Sequence, residues 1–555
     1  MRHRRRTLAC WIVALVVLGA ISSAVGTHAA TDFTLGGTES QRALDVLDRD
    51  FPSQAGDVDQ IVFHAPQGRI GDPDVRSRIA SALTKTARLP HVTSVTSPYG
   101  PDGEAAISRD GRTAFATVTF DEQAADLPTS AVERVIATAE AARSPALQVA
   151  LGGPAIEATQ TTSLGAATAI GLAAAILVLL LAFGSLLAAG LPVVTALFGL
   201  GTAFAVIALA SHAIKMPDIS SELAAMIGLG VGIDYSLFIV TRFRENRRAG
   251  DEVRPATAVA MDTAGRAVLF AGTTVILALL GMVLLGLSFL DGLAVASALG
   301  VLLTMLAGLT LLPALLSWVG SRVGRRGSPA RAGIWGRWAR VVQRHPWAAA
   351  VVGTAVMLAI AAPALSMDMG FSDAGNDPAG SSTREAYDLL AAGFGAGFNG
   401  PLTVVAELPE AHDSTGLAQI GDALQGTPGV SGVAPPTVSR NGRTAVYQVF
   451  PRSAPEASAT TDLVNALRAD VLPPVAQHTH STVLVGGVTA SAIDFTHVLS
   501  GKLPVFIAVV VGLAALLLLV VFRSFVIPVQ AAIMNLLSIA AALGVTVLVF
   551  QHGWL

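Results

Sequence analysis

The decisive stretch of the sequence is GLGVGIDYSLFIVTRFRENRRAG, residues 228–250, which places a charge inside an apolar run. The run extends from about Ile219 to Val240, and about 20 mostly apolar residues suffice to cross a membrane. Asp234 lies about eight residues, or ~12 Å of helix, from the basic edge at Arg242. A carboxylate at that depth costs roughly 2.5–3.5 kcal/mol on insertion scales. We therefore expect Asp234 to face other helices or water.

The composition is that of a membrane protein with several spans. Hydrophobic residues make up 52% of the 555 residues and charged residues 14%, against about 25% charged in an average soluble protein. The formal net charge of −3 gives no indication of nucleic-acid binding. Cys10 is the only cysteine, which excludes an internal disulfide or a Cys-based metal centre. No P-loop or catalytic constellation is found, so we predict no enzyme activity, no metal and no bound cofactor.

Nine apolar stretches are candidates for membrane spans. They are 8–26, 164–183, 190–210, 219–241, 266–287, 292–318, 347–365, 503–522 and 528–550. With the arginines of 1–7 in the cytoplasm, alternation also places 242–265 and the acid-free, arginine-rich 319–346 there, as the positive-inside rule expects. Segments 27–163 and 366–502 then lie outside. The first run could instead be a cleaved signal peptide, but the eight later spans favour an uncleaved anchor.

Two halves of the chain repeat each other. SRDGRTAFATVTF at Ser108 returns as SRNGRTAVYQVF at Ser439, 331 residues later. GGPAIEAT at Gly152 returns as GGVTASAI at Gly486, 334 residues later. A third pair, FGSLLAAGLP and FRSFVIP, follows in the same order. Three ordered pairs at a nearly constant offset indicate an internal duplication.

Each outer segment alternates strand-like and helix-like runs in the order βαββαβ, which is typical of a split, ferredoxin-like domain. The predicted fold class is thus a polytopic α-helical membrane protein with two extracytoplasmic α+β domains of porter type. The predicted order is tail and first span (1–26), first outer domain (27–163), five spans (164–318), basic cytoplasmic loop (319–346), seventh span (347–365), second outer domain (366–502) and two spans (503–555). By symmetry three more spans, the tenth to the twelfth, are expected, so we interpret the chain as truncated relative to its architecture.

This layout, together with ELAAMIGLGVGIDYSLFIVTRFRE, resembles the MMPL-type transporters of the RND superfamily. FTLGGTESQRALDVLDRDFP, LTLLPALL at Leu309–Leu316 and FRSFVIPVQAAIMNLLS are similar to further family motifs, and the resemblance covers essentially the whole chain. It implies a multi-pass protein of the bacterial plasma membrane with a cytoplasmic N-terminus. It also implies export of lipids or other hydrophobic molecules, with protons as the coupling ion.

The resemblance also assigns candidate relay residues. In the family, an Asp-Tyr pair in the fourth span and a second pair in the tenth form a proton relay. Asp234 and Tyr235 match the first pair, and the second has no position in this sequence. Many relatives have Ser where Ala271 stands, so Thr273 and Thr274 are the nearest hydroxyls that could support the relay.

Other interpretations of these residues remain open. Gly228, Gly230 and Gly232 allow helices to approach closely around the relay, and ordinary small-residue packing alone suffices to explain them. Asp234 could be held in one hydrogen-bonded state as an interhelical contact.

The function also has alternatives. A truncated, non-transporting remnant or scaffold is one, and a translocation accessory in the manner of SecDF is another. The predicted partners are hydrophobic or lipidic cargo and membrane lipids, not nucleic acid, and a homo-oligomer or accessory membrane proteins stay open.

Overall fold

The computed structural model describes residues 4–26, 35–51, 57–100, 103–124, 127–160, 164–217, 219–323, 334–367 and 369–554. The helices are α1 (Arg4–Val25), α2 (Glu39–Asp50), α3 (Pro73–Thr86), α4 (Thr129–Glu140), α5 (Pro154–Gln160), α6 (Leu164–Phe183), α7 (Leu186–Ala210), α8 (Ile219–Arg248), α9 (Val253–Ala260), α10 (Arg266–Leu280), α11 (Ser288–Val323), α12 (Ile334–Arg344), α13 (Pro346–Ala361), α14 (Ser382–Phe394), α15 (Ser414–Gln425), α16 (Ser458–Ala466), α17 (Leu472–Thr479), α18 (Val488–Phe522) and α19 (Val526–Thr546). The strands are β1 (Val58–His64), β2 (Val92–Thr96), β3 (Thr113–Phe120), β4 (Gln148–Gly152), β5 (Leu402–Glu407), β6 (Val430–Val433), β7 (Thr437–Val438), β8 (Thr444–Pro451) and β9 (Thr482–Gly486).

The chain divides into two compact units. The helical unit comprises Met1–Thr34, Ser163–Asp368 and Ser500–Leu555. The sheet unit comprises Leu35–Thr162 and Met369–Leu499, so each half of the sequence contributes to both units.

Eight helical stretches of the described chain are long and apolar enough to cross a membrane. They are Arg4–Val25, Leu186–Ala210, Ile219–Arg248, Val253–Leu285, Ser288–Val323, Pro346–Ser366, Val488–Phe522 and Val526–Gln551. A shorter apolar stretch, Ala169–Phe183, lies in α6. Each of the nine ranges predicted from the sequence overlaps one of these stretches, and the chain is a multi-pass membrane protein.

The core of the helical unit lies where α7, α8 and α11 meet. Ile239, Val240 and Phe243 of α8 are fully buried there, together with Leu312 and Leu316 of α11. Small residues set the spacing, because a methyl group built on Gly199 of α7 would lie 2.6 Å from the Cα of Thr304 of α11. Replacing Gly199 would therefore force α7 and α11 apart.

The first sheet has the strand order β2-β3-β1-β4, and all three pairings are antiparallel. Alternate residues of β1 face opposite sides of the sheet, as the two-residue period of a strand requires. Ile61 and Phe63 join the core under α3 and α4, which also contains Ile79 and Val135. The order βαββαβ and this topology are those of the predicted split βαβ domain.

The second sheet repeats the pattern as β6-β8-β5-β9, with β7 added beside β8. Its core lies under α15 and α16, where Val404 of β5 packs with Ile420 and Leu463. The predicted fold class, membrane helices with two duplicated α+β domains, is confirmed.

The duplicated motif SR(D/N)GRTA forms the same turn in both halves. The Ser108 hydroxyl donates to Asp110 Oδ1 over 2.6 Å and accepts from the Thr113 N–H over 2.9 Å. The Ser439 hydroxyl likewise donates to Asn441 Oδ1 over 2.7 Å and accepts from the Thr444 N–H over 3.0 Å. Because both turns need the same hydrogen bonds, the residues of this motif are among the most similar between the two halves.

The two sheets exchange helices, which the sequence pattern does not predict. On the face of the first sheet opposite its own helices, Val62 and Ala150 are covered by Ala386 and Leu390 of α14, which belongs to the second half.

The second sheet is covered in the same reciprocal way. Val405 and Leu484 are covered by Ala43 and Val46 of α2, which belongs to the first half. Each half therefore completes the core of the other.

Candidate proton-relay site

The site predicted from the sequence lies on α8, whose close-packed face is set by two glycines. A methyl group on Gly232 would lie 3.1 Å from the Cβ of Ala196 on α7 and 3.1 Å from the Cβ of Thr304 on α11. One on Gly228 would lie 3.4 Å from Leu200 Cδ1. At Gly230 nothing described lies within 4 Å. The close approach thus involves Gly228 and Gly232, while Gly230 lies outside it.

Asp234 and Tyr235 have different surroundings on α8. Asp234 is exposed on the surface of the described helical unit, and Tyr235 is half-buried. A methyl group on Gly272 of α10 would lie 3.2 Å from the Tyr235 ring and 2.3 Å from the sulfur of Met305 on α11. The missing side chain at Gly272 therefore makes the notch that seats Tyr235 between α10 and α11.

The two threonines proposed as relay support bond to their own helix. Thr273 donates to the Leu269 carbonyl over 2.8 Å, and Thr274 donates to the Phe270 carbonyl over 2.9 Å. This back-bonding is the usual arrangement of a hydroxyl inside a helix, and it leaves the hydroxyl oxygen able to accept. Among the described residues, no hydrogen bond joins either threonine to Asp234.

Ser236 is a hydroxyl near the site that the sequence analysis did not single out. It is fully buried and its Oγ has no hydrogen-bond partner among the described residues. A methyl group on Gly308 of α11 would lie 3.7 Å from that oxygen. Its position two residues beyond Asp234 puts it on the opposite side of α8, against α11 rather than beside the carboxylate.

In the sheet unit, a buried ion cluster joins the two halves. Arg468 donates to Asp494 Oδ1 over 2.6 Å and to Asp494 Oδ2 over 3.0 Å. Asp494 Oδ2 also accepts from the N–H of Ser40 in α2, and Glu39 Oε1 accepts from the N–H of Val485 in β9. The arginine and the aspartate are 16% and 12% exposed. The exchanged helix α2 is therefore held to the second sheet by charge as well as by apolar contact.

A second buried acid lies at the end of the first sheet. Asp59 is 2% exposed, and it accepts from the N–H of Ala155 over 3.3 Å and of Ile156 over 2.9 Å. Burial raises the pKa of this carboxyl to about 7, the two backbone bonds oppose the rise, and the charges of Asp57 and Glu157 add to it. Nothing in the sequence marks Asp59 as a buried acid, because it stands beside Gln60 at the polar start of β1.

One group of ionisable side chains in the first domain has the composition of a metal site. His91, Asp121 and Glu122 place one ligand atom each within 4.8 Å of one another, and the two acids are exposed. Exposed groups of this kind are common without a metal, and we assign none here.

These features define an internally duplicated, multi-pass membrane protein with two split βαβ domains and a carboxylate within its fourth apolar span. Residues 32–349 and 402–555 match the profile of the MMPL family, and the chain belongs to that family.

Relatives of the family align over the whole chain. The membrane protein YdfJ of Bacillus subtilis strain 168 is 32% identical over 564 residues, which cover 100% of this chain and 76% of YdfJ. The mycolic acid-containing lipids exporter MmpL11 of Mycolicibacterium smegmatis is 31% identical over 586 residues, which cover 100% of this chain and 60% of that protein.

Among solved structures, SecDF from Thermus, described as a translocon-associated membrane protein, gives a TM-score of 0.42 at 16% identity, covering 96% of this chain and 76% of SecDF.

Proposed function

We propose that this protein exports lipid or other hydrophobic molecules across the bacterial inner membrane, driven by proton flow. The observation that carries the proposal is the carboxylate of Asp234 within an apolar helix, directly before a tyrosine seated between α10 and α11. An ionisable residue inside a span marks an ion pathway by default. Membership of the MMPL family and the printed name of the M. smegmatis relative support the cargo class.

The proposed mechanism follows from the charge change at Asp234. The protonated carboxyl is tolerated beside apolar helices, whereas the ionised form needs water or a polar partner. Uptake and release of one proton therefore change which surroundings of α8 are stable. The proton acts as a ligand that prefers one of two arrangements of these helices, so its binding shifts the equilibrium between them. The close contact at Gly232 lets α8 and α11 respond together.

The test is transport by the full chain in proteoliposomes with an imposed pH gradient. The readout is movement of a fluorescent lipid, and hemin is used as a second probe because a Mycobacterium tuberculosis relative is named a heme uptake protein. Asp234→Asn cannot ionise and is expected to abolish gradient-dependent transport. Asp251→Asn removes an exposed acid beyond the end of α8 and is expected to leave transport unchanged.

The variant Tyr235→Phe distinguishes a role of the tyrosine hydroxyl in the proton relay from a packing role of the ring. The variant keeps the ring that fills the notch at Gly272 and loses only the hydroxyl. Reduced transport with unchanged stability indicates that the hydroxyl takes part in proton movement. Transport equal to the parent at every gradient would restrict Tyr235 to packing, and gradient-dependent transport by Asp234→Asn would overturn the proposal as a whole.

A further inference from the structure

Helix α12 (Ile334–Arg344) separates charged and apolar residues along its length. Arg337, Arg340 and Arg344 fall within about 60° of its circumference at 3.6 residues per turn. Trp338, Val341 and Val342 occupy the adjoining arc of about 100°. A charged arc that borders an apolar arc is the arrangement of a helix lying in a membrane interface, where arginines reach phosphates from the edge of the apolar face.

Two residues of the apolar arc of α12 are exposed in the described structure. Trp338 is 63% exposed and Val341 is 54% exposed. Soluble surfaces seldom leave a tryptophan and a neighbouring valine so exposed without a partner.

The C-terminal end of α12 lies at the membrane boundary. Only His345, with φ −131° and ψ 60°, separates it from α13, whose stretch Pro346–Ser366 is apolar enough to span. Trp347 in the first turn of α13 is 84% exposed, and tryptophans of this kind favour the headgroup level. The turn at His345 therefore joins a helix at the interface to a helix that crosses the membrane.

The charge around α12 is of one sign. Residues 319–346 contain seven arginines and no acid. Among the described residues, Arg337, Arg340 and Arg344 form no ion pair, and Arg340 only bonds back to the Gly336 carbonyl over 3.2 Å.

The N-terminal arginines lie beside the helix that precedes α12 in the chain. Arg4 donates to the Ser317 carbonyl over 2.9 Å, which places the N-terminal arginines beside the end of α11. Arginines that form no ion pair with a described residue, such as the three of α12, are complementary to an anionic leaflet.

We infer that α12 is a binding site for anionic phospholipid headgroups, with Arg337, Arg340 and Arg344 on the lipid phosphates and Trp338 and Val341 among the upper acyl chains. The bound lipids belong to the leaflet in which α12 lies. Lipid binding at α12 does not depend on the proton relay, so its test is independent of the test of the proposed function.

The experiment measures lipid enrichment around α12 in nanodiscs holding the full chain. Cys10 is the only cysteine, so Cys10→Ser with Val341→Cys gives one labelling position on the apolar arc. Energy transfer from this label reports the local density of headgroup-labelled phosphatidylglycerol or phosphatidylcholine in discs that contain both. Quenching of the label by aqueous iodide reports whether position 341 lies in lipid.

The expected results are enrichment of phosphatidylglycerol over phosphatidylcholine and protection from iodide. Arg337→Gln, Arg340→Gln and Arg344→Gln together are expected to weaken the preference roughly 100-fold, since each basic residue near an anionic surface contributes about fivefold. The matched control removes three exposed arginines of the sheet unit, Arg42, Arg78 and Arg134. This control is expected to keep the full preference.

A salt titration keeps the test decisive if the triple variant fails to fold. At about 1 M salt the Debye length falls to about 3 Å, so the preference of the unaltered helix is expected to disappear. Equal densities of the two lipids, a preference that survives both salt and the triple variant, or full iodide access at position 341 would each overturn the inference. Protection that appears only when a protein or RNA is added would overturn it in favour of that partner.

Discussion

Asp59 gives the sharpest prediction, because its substitution should remove a pH dependence of stability. The folded chain raises the pKa of this carboxyl from 3.8 to about 7. Below about pH 4 both the folded and the unfolded chain hold the proton. As the pH rises, the unfolded chain loses its proton first. The free energy of unfolding therefore falls between about pH 4 and about pH 7 and is constant above about pH 7. The full difference of about 3 pKa units corresponds to about 4 kcal/mol.

The assay is hydrogen exchange of the peptide spanning 148–160, which contains the two N–H groups that bond to Asp59. After correction for the intrinsic rate, the protection of this peptide should fall about 100-fold between pH 5 and pH 8, because about two of the 3 units lie in that range. Asp59→Asn stays neutral and keeps one carbonyl oxygen as acceptor. Its protection should therefore be nearly independent of pH and higher than the parent's at pH 8.

The control is Asp74→Asn, an exposed acid in the first turn of α3, which should retain the parent's slope. The reasoning is refuted if the parent shows constant protection from pH 5 to pH 8. It is equally refuted if Asp59→Asn and the parent have the same slope.

Two further predictions use pairs of matched variants. Gly232→Ala should lower the stability of the purified chain by about 1–3 kcal/mol through overpacking. Gly230→Ala, with open space around it, should be neutral or slightly stabilising. Equal melting temperatures of the two variants would contradict the packing described for α8. Arg468→Gln leaves the Asp494 carboxylate without its cation and should lower the free energy of unfolding by about 3–5 kcal/mol, measured as faster hydrogen exchange in the second domain. Arg443→Gln, at an exposed arginine, should change the exchange little. Matching exchange in both variants would show that the ion cluster adds no net stability.

Much of the fold follows from the sequence because its signals are local. A run of apolar residues such as 190–210 predicts a span by length and composition alone. The order of strands and helices follows from a two-residue or 3.6-residue period, and the duplication follows from SRDGRTA and SRNGRTA. These features require no knowledge of which surfaces meet.

The features that the sequence left open depend on contacts between distant segments. The apolar residues Ala43 and Val46 of α2 predict an amphipathic helix, yet nothing in their spacing shows that it covers Val405, about 360 residues away. Asp494 and Arg468 likewise form a pair only once α18 and the helical turn between α16 and α17 are in place. The three glycines before Asp234 look alike in the sequence, and only the packing against α7 and α11 distinguishes Gly232 from Gly230. The roles of Asp234, Tyr235, Thr273 and Thr274 in proton movement stay predictions.

The reciprocal cover of the two sheets constrains how such a chain could have arisen. A single half, cut to one sheet and its spans, would expose Val62 and Ala150, or Val405 and Leu484, to water. Such a half could bury this face only by lending its own helix to a second copy and receiving one in return. The ancestor of the duplicated gene is therefore expected to have been a symmetric homodimer with swapped helices, and fusion turned an exchange between molecules into one within a single polypeptide.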